Sequence, residues 1–284
     1  MALVLRTIAE VRDWVRAERT GSRSIGLVPT MGALHEGHAS LFRRARSECD
    51  RVAVSIFVNP TQFGPGEDFD RYPRTWDSDL ETAQRESVDA VFAPIVEEMY
   101  PGQRAIMVDP GKVGDVLCGA SRPGHFRGVL TVVAKLFHIV SADRAYFGQK
   151  DAQQLVLIRR MVAEHNFPIE IVPCATVREP DGLALSSRNR YLSTVDRANA
   201  TVLYRALCFA ESLLASGVRD AARLEREMTQ MIRSTPGAEL DYARVVDPWT
   251  LEPIPIIQGE VLAAVAVRFG KTRLIDNSLM APKS

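Results

Sequence analysis

Ser24-Ile25-Gly26-Leu27-Val28, running on through Pro29-Thr30-Met31-Gly32-Ala33-Leu34 to His35-Glu36-Gly37-His38, sets the reading of the whole chain. A short apolar run closed by proline and glycine predicts a buried strand over 24–28, with a helix beginning near His35 to His38. In an open parallel sheet, ligands bind at the carboxyl ends of the strands, where a helix amino terminus offers N–H groups and positive potential to phosphate. His35 and His38 stand three positions apart, so both side chains leave one face of the first turn. Two imidazoles so placed can each donate a hydrogen bond to a triphosphate as its α-phosphorus is attacked. Gly37 keeps that face open for close approach of a ribose or adenine. Histidines near a helix start otherwise serve as surface or capping residues. Here the glycine turn after a buried strand favours nucleotide binding, and a metal would lack a third ligand at suggestive spacing.

Outward from this stretch, short β-branched runs alternate with helical patterns through about the first 175 residues, the mark of a parallel sheet covered by helices. Strands are predicted at 24–28, 51–58, 90–93, 144–147 and 169–172, and helices at 39–48, 77–86, 130–140 and 152–165. Residues 59–74 and 101–127 fit neither period and read as binding loops or lids, with 101–103 a solvated connection. After Glu179-Pro180-Asp181-Gly182 the pattern changes to helices at 194–215 and 221–232 and strands at 240–246, 261–267 and 272–275, a smaller α+β domain.

The 284 residues suffice for a well-buried core. Their 35 basic and 35 acidic side chains balance, so no overall field draws in nucleic acid or an anionic membrane, and any anion is bound locally. No apolar run is long enough for a membrane span and the start is too short for a secretory signal, so a cytoplasmic location is expected. Cys49, Cys118, Cys174 and Cys208 are too widely spaced for a zinc ribbon or a redox pair and read as reduced, buried thiols.

Three further segments place polar groups at strand ends. Tyr146-Phe147-Gly148-Gln149-Lys150-Asp151 repeats the strand, glycine turn and helix arrangement, and Lys150 can reach β- and γ-phosphates as a point charge. Asp181 to Asn189 sets Ser186, Ser187 and Arg188 together after a turn, a combination suited to departing pyrophosphate or, more simply, to a helix cap. Asn59 and Gln62 follow the second strong strand, and Gln154 follows Lys150; these neutral amides can read hydroxyls and a carboxylate.

Taken together, Pro-Thr-Met-Gly-Ala-Leu-His-Glu-Gly-His at 29–38, Phe-Val-Asn-Pro-Thr-Gln-Phe at 57–63, Arg-Tyr-Pro-Arg-Thr at 71–75, Arg-Pro-Gly-His-Phe at 122–126, Phe-Gly-Gln-Lys-Asp at 147–151 and Ser-Ser-Arg-Asn at 186–189 resemble the pantothenate synthetase, or pantoate-beta-alanine ligase, family. That family lies in the His-x-Gly-His nucleotidyltransferase superfamily. The resemblance spans nearly the whole chain and implies condensation of (R)-pantoate with beta-alanine through a pantoyl adenylate, with ATP cleaved to AMP and pyrophosphate. It implies an ATP site at Met31, Gly32, Ala33, Leu34, His35, Glu36, Gly37 and His38, with His38 acting on the phosphate. Gly148, Gln149, Lys150, Asp151, Val177, Leu185, Ser186, Ser187 and Arg188 complete that site. Gln62 and Gln154, with Asn59, are the expected substrate contacts. Mg2+ is expected on the ATP phosphates rather than in a protein cage, with Asp79 a weaker candidate contact, and relatives suggest a homodimer. Leu185 and Thr61 stand where the family commonly has methionine.

The expected fold is α/β: a Rossmann-like doubly wound parallel sheet in an ATP- and pantoate-binding domain at 1–178, followed by a smaller lid-like α+β domain at 179–284. Two other readings share the His-x-Gly-His stretch: a nucleotidyltransferase acting on a cofactor precursor, and a nucleotide-binding module without turnover.

Overall fold

A computed structural model describes residues 2–102 and 106–282. The chain forms two compact units: Met1–Asp115, Arg122–Gly148 and Leu157–Ala175 in the first, and Val116–Ser121, Gln149–Val156 and Thr176–Ser284 in the second.

The first unit is built on six parallel strands: β1 (Leu3–Leu5), β2 (Ile25–Thr30), β3 (Arg51–Ile56), β4 (Ala90–Phe92), β5 (Arg144–Gly148) and β6 (Glu170–Cys174), in spatial order β1-β4-β3-β2-β5-β6. Its helices are α1 (Ile8–Thr20), α2 (Glu36–Glu48), α3 (Trp76–Arg85), the single turn α4 (Val96–Met99) and, past a further short helix α5 (Cys118–Ser121) of the second unit, α6 (His125–Val140). From β2 the chain winds to β3 and β4, then crosses to β5 and β6 on the other side, so the winding reverses between β2 and β5. The carboxyl ends of those two strands therefore flank the crevice where an open α/β sheet binds its ligand.

Successive strand residues face opposite sides, and burial of both sides explains why the middles of the central strands are largely apolar. Val28, Val52, Val54, Val91 and Tyr146 pack on one side with Leu41, Phe42 and Ala45 of α2 and Ala83 of α3. The alternate residues Leu27, Ala53, Ala90 and Ala145 are equally buried, and α6 packs on β2 and against α1.

In the second unit, β7 (Ala238–Val246), β8 (Val261–Phe269) and β9 (Thr272–Met280) form an antiparallel sheet in that order. The helix α7 (Ala152–Glu164) begins in this unit. It is followed by α8 (Thr194–Asn199), α9 (Val202–Ala215) and α10 (Ala221–Arg233). Leu224, Met228 and Ile232 of α10, spaced by fours, join Leu203, Leu207 and Leu214 of α9 over Val265 and Val267. Each fully buried leucine or valine contributes about 1.5–3 kcal/mol.

The expected doubly wound sheet and smaller α+β part are both present. Several boundaries differ. α6 begins at His125, five residues before the predicted start, because Gly124 takes a left-handed conformation (φ 79°) and launches the helix. Residues 194–215 form two helices, and β9 runs on to Met280. Within 101–127 lie α5, a 3-10 turn at Gly111–Gly114 and the start of α6; the solvated connection predicted at 101–103 reaches residue 103, outside the described residues. Among the described residues no helix is long and apolar enough to cross a membrane. Cys49, Cys118 and Cys174 are free thiols in the interior, but Cys208 is exposed, because α9 turns Leu203, Ala206, Leu207, Ala210 and Leu214 to the core and Cys208 lies off that face.

Candidate active site

The turn after β2 is held from within. Gly32 (φ 82°) and Ala33 (φ 50°) are both left-handed, and a Cβ on Gly32 would stand 2.9 Å from an Asp79 carboxylate oxygen. Only glycine meets both demands. Asp79 of α3, buried, accepts the N–H groups of Ala33 at 3.0 Å and Leu34 at 2.8 Å and the Thr75 hydroxyl at 3.1 Å. The Thr30 hydroxyl accepts the Gly32 N–H at 3.2 Å. Asp79 is thus the clamp of the turn, and its carboxylate is already occupied by donors.

His35 is the N-cap of α2. Its Nδ1 accepts the Gly37 N–H at 3.1 Å, and His38 Nδ1 accepts the His35 N–H at 3.3 Å, a reciprocal capping box made of two imidazoles. A ring nitrogen that accepts carries no proton, so each neutral imidazole is protonated on Nε2. The rings lie 4.2 Å apart between centroids, tilted by 44°. The capping and phosphate-directed readings of this pair are therefore compatible: one edge of each ring serves the backbone and the other carries an N–H. Glu36, by contrast, pairs with Arg43 on the exposed side of the helix.

After β3, Asn59 is almost fully buried, and its amide is saturated. Nδ2 donates to Gln62 Oε1 at 3.0 Å and Gly128 O at 3.1 Å, while Oδ1 accepts from the Thr61 N–H, the Thr61 hydroxyl at 2.9 Å and the Tyr100 hydroxyl at 2.8 Å. Gln62 Nε2 lies 3.1 Å from Met31 Sδ, which joins the amide predicted to read substrate to the predicted nucleotide turn. Thr61 uses its hydroxyl where methionine would have none. A Cβ on Gly128 would stand 2.2 Å from Thr61 O, so α6 and the 60–62 turn approach backbone to backbone.

Two residues without an assigned role in the sequence reading hold Gln62 from the other side. His125 Nδ1 lies 2.7 Å from Gln62 O, and Arg122 Nη1 lies 2.9 Å from His125 Nε2. Arginine only donates, so Nε2 accepts and Nδ1–H donates to the carbonyl. Arg122 also grips Glu67 through two hydrogen bonds of 2.7 and 2.6 Å, tying the 63–72 loop to the start of α6. Burial pushes the Glu67 carboxyl up, but those hydrogen bonds and the Arg122 charge outweigh it and leave its pKa below the ordinary value.

Lys150, Gln154, Val177 and 185–188 belong to the second unit. Lys150 lies in the 3-10 turn Gln149–Asp151 that opens α7 and is half-buried, its Nζ 4.0 Å from Asp151; Gln154 lies in the first turn of α7. The Leu185 N–H donates to Val177 O at 3.0 Å, bringing these two predicted residues together. Ser186 caps the 3-10 turn Ser187–Tyr191, its hydroxyl accepting the Arg188 N–H at 3.3 Å. Asn189 Nδ2 donates to Glu179 at 2.8 Å and to Ala184 O, and Arg197 grips Glu179 and Asp181 at 2.6 and 2.7 Å, so the 179–189 loop is braced throughout. Among the described residues no cluster of three His, Cys, Asp or Glu could hold a metal ion.

Residues 3–279 match the family model of pantoate-beta-alanine ligase. Pantothenate synthetase from Moorella thermoacetica is 57% identical over 277 residues, covering 98% of both chains, and that from Thermotoga neapolitana is 52% identical over 277 residues, 98% of this chain and 99% of the relative. The crystal structure of the pantothenate synthetase from Thermus thermophilus superposes with a TM-score of 0.91 at 47% identity, covering 97% of this chain and 98% of the other. The Francisella tularensis pantoate-beta-alanine ligase, solved in complex with beta-gamma ATP and beta-alanine, superposes with a TM-score of 0.80 at 35% identity, over 98% of each chain. Sheet and relatives agree, and the chain belongs to the pantoate-beta-alanine ligase family.

Proposed function

We propose that the chain condenses (R)-pantoate with beta-alanine to pantothenate, cleaving ATP to AMP and pyrophosphate through a pantoyl adenylate. A pantoate carboxylate oxygen attacks the α-phosphorus and pyrophosphate leaves. The beta-alanine amine then attacks the acyl carbon and AMP departs with that oxygen. Adenylation is needed because a carboxylate is a poor acyl donor, and binding both reactants in line replaces a bimolecular encounter.

The observation that carries this reading is the double cap at His35 and His38. It orients two Nε2–H donors at the carboxyl end of β2, beside the reversal of the winding. In the proposal they stabilise charge on the triphosphate, with His38 at the reacting phosphate. Lys150, Ser186, Ser187 and Arg188 serve the departing pyrophosphate, while Met31 to Leu34, Glu36, Gly37, Gly148, Gln149, Asp151, Val177 and Leu185 complete the nucleotide site. Gln62 and Gln154 hold pantoate, and Asn59 acts by orienting Gln62. Asp79 is taken up by the turn it clamps, so Mg2+ fits as an ion held by the ATP phosphates. The lid role of residues 179–284 and a homodimer belong to the same proposal.

Incubation with ATP, Mg2+, pantoate and beta-alanine in all drop-out combinations tests it. Free AMP and amide in equal amounts, with pyrophosphate released by pantoate alone, is the expected result. AMP attached to the product would identify a nucleotidyltransferase, and ATP binding without cleavage a non-catalytic module.

A further inference from the structure

Strand β9 carries two consecutive buried polar residues, Asp276 at 2% and Asn277 at 5% exposure. Consecutive strand residues point to opposite faces, so two separate demands keep them there. Asn277 spends both hydrogens of Nδ2 on main-chain carbonyls, Gln149 O at 2.9 Å and Lys150 O at 2.8 Å. Its Oδ1 is buried without a partner among the described residues. Flipping the amide would set oxygen against two carbonyl oxygens, so the two carbonyls dictate its orientation. A side chain that leaves its own acceptor unsatisfied in order to hold two consecutive carbonyls is there for the main chain it grips.

Asp276 holds the other segment. Its carboxylate takes two hydrogen bonds from Arg178, at 2.6 and 3.0 Å, and accepts the Asn277 N–H at 2.8 Å. Arg178 in turn donates to Gly182 O at 3.0 Å and stacks its guanidinium 4.5 Å over the Tyr204 ring. Gly182 (φ 92°) leaves no room for a side chain, since a Cβ would stand 2.0 Å from that ring. Arg178 also bridges to Ala184, next to the Val177 and Leu185 pair. One dipeptide thus fixes both the turn bearing Lys150 and the loop leading to Ser186, Ser187 and Arg188.

We infer that Asp276 and Asn277 are positioning residues for the ATP reaction: Asn277 sets the main chain that aims Lys150, and Asp276, through Arg178, sets the 177–188 segment. The inference rests on the proposed role of Lys150 and Arg188 at the phosphates. The isosteric change Asn277→Asp replaces both donors with acceptors facing two carbonyls. It is expected to lower kcat/KM for ATP about 10- to 100-fold while leaving the KM for pantoate near that of the parent enzyme. Asn277→Ser, which keeps one donor, is expected to fall between the two and supplies the measurement if the aspartate variant does not fold.

The deciding test is a double-mutant cycle. In a Lys150→Ala background the Asn277→Asp effect is expected to shrink to within about 3-fold, because the group being aimed is gone, and Asp276→Asn is expected to behave likewise with Arg188→Ala. Equal factors in both backgrounds, or KM values for ATP and pantoate rising together with a fall in thermal midpoint, would assign Asn277 to stability alone and overturn the inference. Full ATP turnover by Lys150→Ala itself would instead remove the proposed role of Lys150, on which the inference stands.

Discussion

His38 accepts the main-chain N–H of His35 through Nδ1 at 3.3 Å, so the residue proposed to act on phosphate also closes the first turn of the helix that carries it. Two functions on one ring can be separated by substitution. His38→Ala loses both the cap, worth about 0.5–2 kcal/mol, and the Nε2–H donor. His38→Asn sets Oδ1 where Nδ1 stands, keeps the bond to His35 and removes only the outer donor. Pantoate-dependent pyrophosphate release is expected to fall about 10²- to 10³-fold in both variants, while the thermal midpoint drops in the alanine variant alone. Retained turnover in His38→Asn would assign the ring to capping.

Gly128 predicts a coupled effect on stability and substrate binding. A Cβ there meets Thr61 O at 2.2 Å and Gln62 N at 2.6 Å, both backbone atoms that cannot swing aside. Gly128→Ala should destabilise the first unit by about 1–3 kcal/mol and, by shifting the 60–62 turn, raise the KM for pantoate more than that for beta-alanine. Denaturant unfolding and steady-state kinetics on one preparation check both.

The Glu67 and Arg122 pair predicts a pH dependence of stability. The folded-state pKa of Glu67 lies below the ordinary 4.5, so its contribution is complete above that value and disappears as pH falls through the lower folded value. Glu67→Gln should therefore cost about 1.5–3 kcal/mol at neutral pH, and the gap to the parent protein should close in acid below pH 4.5. Urea midpoints measured from neutral to acidic pH give the comparison; a gap that widened in acid would contradict the sign.

The central strands and the His-x-Gly-His turn were legible because strong local signals coincide there: a buried apolar run, a left-handed glycine and a helix start. β1 leaves no signal in the sequence because three residues carry no period. α1 carries a capping box visible as Thr-x-x-Glu at Thr7 and Glu10, but its apolar period is weak, since only Val11 and Val15 on that helix are buried. The sequence offers Asp79 only as a weaker metal contact; its service to the turn is visible through bonds to residues 46 and 45 positions away. His125 and Arg122 hold Gln62 across 63 and 60 positions in the same manner. Side chains that hold distant main-chain groups leave no mark in local pattern; the fold alone brings them together.

The pantoyl adenylate is tested most directly by oxygen transfer. Pantoate labelled with 18O in both carboxylate oxygens is turned over with ATP and beta-alanine, and the released AMP and the amide are weighed by mass spectrometry. One labelled oxygen in AMP and one in pantothenate is the predicted result, since the attacking carboxylate oxygen leaves on the phosphate. AMP free of label would show that the carboxylate never attacked the α-phosphorus, and would contradict the account.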